Sequence, residues 1–348
     1  MSIDRNKVLE AAQKHLAKGN LDKAIAEFQR LVAADPKDVR TLLKIAELQA
    51  KKGSIRDAVD TYLKVGDSYA SQGFFSKSVA VYKQAVRLDQ TRLDALKKLA
   101  QNYEELQHTA DALAAYDLLA QVYANQNQID GALSAMQRAT EIDPQNLAAR
   151  IRYAEALSRA QKTKEAADEF EKGARLIKAQ GRMDDYIKVA ERLLFHREND
   201  LEVARELAAL YLERHDGKRA LGKLQMLFKA NPKDENVLGM LAQAFVSLDQ
   251  RDKAVQVLKE LAKNHLDARR PEERERALRR ILELDPNDAE AKQALSGNAP
   301  AARPRVNIDD VVPATAVIGG GGRRGGGQPN RPIGAEGAPA VPMPGANR

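Results

Sequence analysis

The 348-residue chain contains no cysteine and no tryptophan, and aromatic residues make up only 5% of it. Without cysteine there are no disulfides and no thiolate metal sites, as in proteins of a reducing compartment. With so few rings, apolar burial must rest on Leu, Ala, Val and Ile. No stretch approaches the roughly 18 apolar residues of a membrane-spanning helix. The opening Met1-Ser-Ile-Asp-Arg-Asn-Lys runs straight into an amphipathic pattern, without the apolar core of a secretory signal. The expected location is therefore the cytoplasm, with no membrane insertion. Single-signed charge is scarce as well. The formal net charge is +7, and residues 297–348 supply six Arg against three acids, leaving the rest of the chain near balance. A high pI alone therefore gives no reason to expect nucleic acid as the partner.

Catalytic patterns are missing too. There is no Gly-x-Ser-x-Gly elbow, no phosphate loop ending in Gly-Lys-Ser/Thr, and no His-Glu-x-x-His helix. The glycines of 319–327 follow no strand and open no helix, so they do not form a phosphate cradle. The five histidines are scattered singly. His15 and His265 fall where a buried aromatic is expected, and His108 and His215 lie beside turns. These features predict no catalytic residues, no cofactor and no metal.

What is present is a repeat. Small or apolar residues recur at Ala24, Ala58, Ser78, Ala112, Ala132, Ala166, Ala220 and Ala254, with Tyr186 and Arg274 filling two further places, at separations of 34 or 20 residues. A fixed period of this length marks a helical unit that cannot bury its apolar face alone and must stack on copies of itself. In the first unit, apolar residues from Val8 to Leu31 keep helical spacing and break at Gly19-Asn20, where glycine can end a helix in the left-handed conformation. Further turns are expected at Gly53, Gly73, Asn127, Gly181 and Gly217. Asp35-Pro36, Asp143-Pro144, Asn231-Pro232 and Asp285-Pro286 act as stops, because proline cannot extend a helix and restricts its predecessor. Between Gly53 and Gly73 one long helix carries Ala58, Tyr62, Val65, Gly66 and Tyr69 on one stripe. The same stripe returns as Ala112, Tyr116, Leu119, Ala120 and Tyr123, and again as Ala166, Phe170, Gly173, Ala174 and Ile177. The middle of the chain thus reads as three-helix units of 54 residues. Pro271 reads as the first residue of a helix whose acids lie three and four places from its arginines, a pattern of helix-surface pairing.

Residues 297–348 hold 11 Gly and 8 Pro and lose the periodicity. Such a composition buries too little apolar surface to offset ordering entropy, which predicts a disordered tail. Within it, Val306–Val312 is an apolar island and Arg323-Arg324 a single arginine–glycine element. The fold class is accordingly an all-α helical-repeat solenoid of about 17 helices over 1–296, followed by a tail over 297–348. An Ala-, Arg- and Leu-rich composition also suits a bacterial genome of high GC content.

The repeat resembles the tetratricopeptide family. Its pattern is carried by Leu96, Leu99, Ala100 and Tyr103 with Ala112 and Tyr116. Ala208 and Tyr211 with Ala220 match it again, as do Leu241, Ala242 and Phe245 with Ala254, and Ala132, Met136, Ala139 and Pro144. The 20-residue steps depart from that family's plain tandem. The resemblance implies that exposed residues of the first helices line a surface for partner proteins or peptides: Arg40, Leu43 and Glu47, then Lys97, Gln101 and Glu104, then Ile151 and Glu155, then Arg205. One subclass grips carboxylate tails with Lys followed four residues later by Asn. Lys97 fills the first place, but Gln101 stands where Asn is needed, which argues against a tail clamp. The functional expectation is an interaction scaffold. The rivals are a nucleic-acid binder helped by the Arg/Gly tail and a non-catalytic subunit of an envelope or motility machine.

Overall fold

The computed structural model describes residues 4–296, and these form 17 helices with no strand among them. The expectations placed on 297–348, namely disorder, the island Val306–Val312 and Arg323-Arg324, lie outside the described residues. The chain divides after Lys162 into two compact units. The first holds α1 (Arg5–Ala17), α2 (Leu21–Ala34), α3 (Val39–Lys52), α4 (Ile55–Ser71), α5 (Phe75–Leu88), α6 (Leu93–Glu105), α7 (Thr109–Asn125), α8 (Ile129–Ile142) and α9 (Leu147–Arg159). The second holds α10 (Thr163–Ala179), α11 (Met183–His196), α12 (Leu201–Glu213), α13 (Gly217–Ala230), α14 (Glu235–Ser247), α15 (Arg251–Asp267), α16 (Pro271–Leu284) and the short α17 (Ala289–Leu295). Within each unit every helix packs chiefly on its neighbours in sequence, and α12 also reaches α14. This local pattern is what a unit that cannot bury its own apolar stripe must produce.

Two kinds of connection alternate, each with a local cause. The tight turns place one residue in the left-handed region, at positions 19, 53, 73, 107, 127, 161, 181, 215, 249 and 269. These steps repeat the alanine rhythm of 34 and 20 residues. Glycine fills four of the places, while Gln107, Asn127, Gln161, His215, Asp249 and Arg269 fill the others with φ between 55° and 60°. One sequence expectation needs correction here. Gly217 is not the turn residue; His215 is, and Gly217 is the first residue of α13. Its lack of a side chain serves a close approach instead, because a Cβ there would stand 2.8 Å from the carbonyl oxygen of Ala244 on α14.

The other connections are extended. After α2, Asp35 leaves the helix at φ −133° and its carboxylate accepts from the Lys37 backbone N–H at 3.1 Å. Asp143, Asn231 and Asp285 repeat the arrangement. Three residues further on, Asp38, Asn146, Asp234 and Asp288 cap the next helix, accepting from backbone N–H groups at 2.8–3.1 Å. A side-chain acceptor at this place satisfies a donor that the helix leaves orphaned.

The seventeen-residue helices α4, α7 and α15 carry buried residues on both halves, and each packs on the helix before and the helix after it; α10, of the same length, opens the second unit and packs on α11. Ala24, Ala58, Ala112, Ala166, Ala220 and Ala254 sit at the fourth residue of their helices with no exposed surface, and Ala132 is 5% exposed. A methyl group at these crossings lets neighbouring helix axes come close. Tyr62, Tyr116 and Phe170 are buried one turn later. Two clusters of buried side chains build the first unit, one from α1 to α3 and another from α3 to α8. His265 is buried, and His108 and His215 are exposed beside turns.

Candidate functional site

The first helices of successive repeats, α3, α6 and α9 in the first unit and α12 in the second, carry the nine residues singled out from sequence. On α3, Arg40 is exposed with no hydrogen bond or ion pair among the described residues, and Glu47 is exposed and pairs with Lys44 at 3.2 Å. Leu43 is half-buried against the larger cluster. On α6, Lys97 and Gln101 are exposed and free of partners among the described residues, at the places that Leu43 and Glu47 take 54 residues earlier. These side chains follow helical spacing of three and four residues, so on each helix they share one stripe.

The remaining four are more committed. Glu104 is half-buried, accepts the hydroxyl proton of Tyr116 and takes the Arg138 guanidinium, whose Nε lies 3.0 Å from Oε2. Ile151, expected on the exposed surface, is instead only 4% exposed, because its side chain falls on the packed face of α9. Glu155 is half-buried. Arg205, in the second unit, is held by Asp234 at 2.7 Å. That hydrogen bond and charge keep the Asp234 carboxyl below the usual carboxylate range.

Glu104 is one case of a device that the sequence reading missed. Four buried tyrosines each donate to a carboxylate that also holds a cation: Tyr82 with Asp67 and Lys98, Tyr116 with Glu104 and Arg138, Tyr186 with Glu206 and Lys178, Tyr211 with Glu191 and Lys223. Burial first, and the acceptor carboxylate second, push all four phenols well above their ordinary range. The device satisfies the hydroxyl that comes with a large buried ring. Only Glu104 and Arg138, 34 residues apart, follow the repeat period; the other three pairs stand 28–32 residues apart and carry no such signal in the sequence.

The stripe offers charged and hydrogen-bonding side chains. Among the described residues no group of three or more His, Asp or Glu could hold a metal ion. His196 stacks on Phe170 at 5.7 Å between centroids, and burial and then Arg192 push its pKa down. No helix of the described residues is long and apolar enough to cross a membrane.

Alternating left-handed turns, capped stops and methyl-lined crossings define a helical-repeat protein. Three tetratricopeptide-repeat family models match, over residues 9–66, 59–92 and 123–176. The chain thus carries tetratricopeptide repeats over residues 9–92 and 123–176. No curated protein sequence matches it. Among solved structures, the P58(IPK) tetratricopeptide domain aligns at 16% identity over 82% of this chain and 100% of that one, with a TM-score of 0.25. A tetratricopeptide repeat protein from Parabacteroides merdae aligns at 14% identity over 84% and 97%, with a TM-score of 0.20. MamA from Desulfovibrio magneticus aligns at 18% over 52% and 98%, also with a TM-score of 0.20.

Proposed function

We propose that this protein is a protein-interaction scaffold that receives partner proteins on the exposed stripe of its first helices, centred on Arg40, Leu43 and Glu47 of α3 and Lys97 and Gln101 of α6. Glu155 on α9 extends the stripe and Glu104 holds the neighbouring helices beneath it, while Arg205 does the same for α12 and α14 within the second unit. The observation that carries this reading is that Arg40, Lys97 and Gln101 stand exposed at corresponding sides of successive first helices with no partner among the described residues. A repeat fold supplies many such positions at fixed intervals, and a few anchors among them would provide most of the affinity. The proposal assigns the chain no catalytic step.

Affinity capture from cell extract with the full chain tests it. The wild type should retain a defined set of proteins after nuclease treatment, and the Arg40→Glu, Lys97→Glu, Gln101→Ala variant should lose them. If the retained material is instead nucleic acid and its binding collapses steeply as salt rises, the nucleic-acid reading takes its place.

A further inference from the structure

One place in the first unit shows the register kept and the volume lost. On α5, Tyr82 is 1% exposed, and its ring lies directly on Gly66 of α4, where an added Cβ would stand 2.6 Å from Cδ1. Its hydroxyl donates to Asp67 Oδ1 at 2.7 Å, and Lys98 of α6 takes the same carboxylate at 2.6 Å. Fifty-four residues on, Met136, Ala120, Gln121 and Arg152 occupy these four places. One repeat earlier the place of Tyr82 is held by Phe28, whereas α8 contains no aromatic residue at all. A cleft of about 160 Å³ opens there, lined by Asp117, Gln121, Met136, Ala139, Ala149 and Arg152.

The walls of this cleft are sorted by chemistry. Met136, Ala139 and Ala149 make an apolar floor, while Gln121 and the Asp117–Arg152 pair, 3.0 Å apart, form a polar rim. The Gln121 amide is exposed and has no hydrogen bond among the described residues. An apolar cavity of about 150 Å³ is large enough to take up benzene. The size thus suits one aromatic ring, and a thioether beside a ring edge is a favourable contact.

We propose that this cleft receives a tyrosine side chain presented by a partner polypeptide. The chain displays the complement itself at Tyr82, a buried ring whose hydroxyl meets the residue corresponding to Gln121 and lies beside the one corresponding to Arg152. Ala120, with a methyl where Gly66 has none, is not among the lining residues, so the incoming ring sits between Gln121 and Arg152 rather than at the depth of Tyr82. Gln121 can accept the phenolic proton, and Arg152 can donate to the same oxygen. The inference rests on the scaffold reading above and narrows it to one anchoring residue type.

The test uses the full chain with labelled methionine methyls and N-acetyl-tyrosinamide as the probe. Of the six methionines, only Met136 should move, saturably, with a ring-current shift. N-acetyl-phenylalaninamide should bind about threefold to tenfold more weakly, the worth of one neutral hydrogen bond. N-acetyl-leucinamide should give no shift of that kind. The Ala120→Gly, Met136→Tyr variant restores the arrangement of Gly66 and Tyr82 and should abolish saturation transfer to the probe. Gln121→Ala, which leaves the cleft open, should remove the preference for tyrosine over phenylalanine. An unmoved Met136 methyl, equal binding of the three amides, or an unchanged preference in Gln121→Ala would overturn the proposal. So would self-association abolished by filling the cleft, since the occupant would then be a second copy. If the probe fails while capture on α3 and α6 succeeds, the cleft assignment alone is lost; if capture also fails, the scaffold reading falls with it.

Discussion

Replacing Gly66 by alanine should destabilise the protein, although alanine is the better helix former. Gly66 lies inside α4, where the exchange by itself should gain about 1 kcal/mol. Against that gain stands the ring of Tyr82: the new Cβ would lie 2.6 Å from Cδ1 and 2.7 Å from Cζ, closer than van der Waals contact allows. The ring cannot swing away cheaply. It is buried, and its hydroxyl is tied to Asp67 at 2.7 Å. Overpacking of this kind costs about 1–3 kcal/mol, and a rigid ring met by three contacts belongs near the upper end. The net loss should be about 1–2 kcal/mol. In a Tyr82→Met background the collision disappears, and the same Gly66→Ala exchange should then stabilise by about 1 kcal/mol. The sign reverses because the double variant reproduces Ala120 and Met136, the pair that the chain already uses 54 residues on. Urea unfolding followed by circular dichroism, with the slope compared across all four proteins, measures the cycle. A coupling of about 2–3 kcal/mol is expected. Additivity within about 0.5 kcal/mol, or stabilisation by Gly66→Ala while Tyr82 is present, would refute the reasoning.

The other glycines divide on the same principle. Gly217→Ala should cost about 1–3 kcal/mol, because its Cβ meets the Ala244 carbonyl, whereas Gly222→Ala and Gly239→Ala meet nothing within 4 Å and should gain about 0.5–1 kcal/mol in the same unfolding assay. Truncating buried Tyr62, Tyr116 or Phe170 to alanine should each cost about 3–5 kcal/mol, and a neutral result in thermal melts would remove that residue from the packed stripe. On acidification, Asp38, Asp94, Asp185, Glu206, Asp234 and Asp288 have folded pKa values below their unfolded ones. Their contribution is present above the ordinary carboxylate range and is lost as pH falls through and below about 4, which acid titration of the urea midpoint would show. In alkali the sign is opposite. Tyr82, Tyr116, Tyr186 and Tyr211 have raised pKa values, so their contribution is intact below about pH 10 and is lost above it. Tyrosinate absorbance should appear together with unfolding, not before it.

The alanine rhythm made the helix positions legible, because the packing of one unit on the next demands a methyl at a fixed interval, and Ala24 through Ala254 are buried as that demand requires. The Asp-Pro and Asn-Pro stops were legible for a covalent reason, and α2, α8, α13 and α16 end before them. The turns were legible only where chemistry marks them. Gly19, Gly53, Gly73 and Gly181 announce a left-handed residue, but Gln107, Gln161, His215, Asp249 and Arg269 carry no such mark and follow only from counting. Gly217 misled because glycine serves two purposes, and here it serves close approach. On the candidate surface, exposure at Arg40, Lys97 and Gln101 followed from helical phase. Glu104 and Arg205 are held by residues one repeat away, Arg138 and Asp234, which a reading of single helices does not reach. Likewise, the exchange of Tyr82 for Met136 shows only when successive units are compared position by position.

Hydrogen exchange on the full chain, comparing wild type with Tyr116→Ala, tests most directly whether each helix is held by its neighbours in sequence. Tyr116 belongs to the cluster that runs from α3 to α8, whereas α1 and α2 belong to the other cluster of the first unit. Amides of α6, α7 and α8 should lose protection by several orders of magnitude while those of α1 and α2 keep theirs. Equal loss of protection across residues 4–162 would mean one shared core, and a chain of mutually supporting neighbours would be the wrong picture.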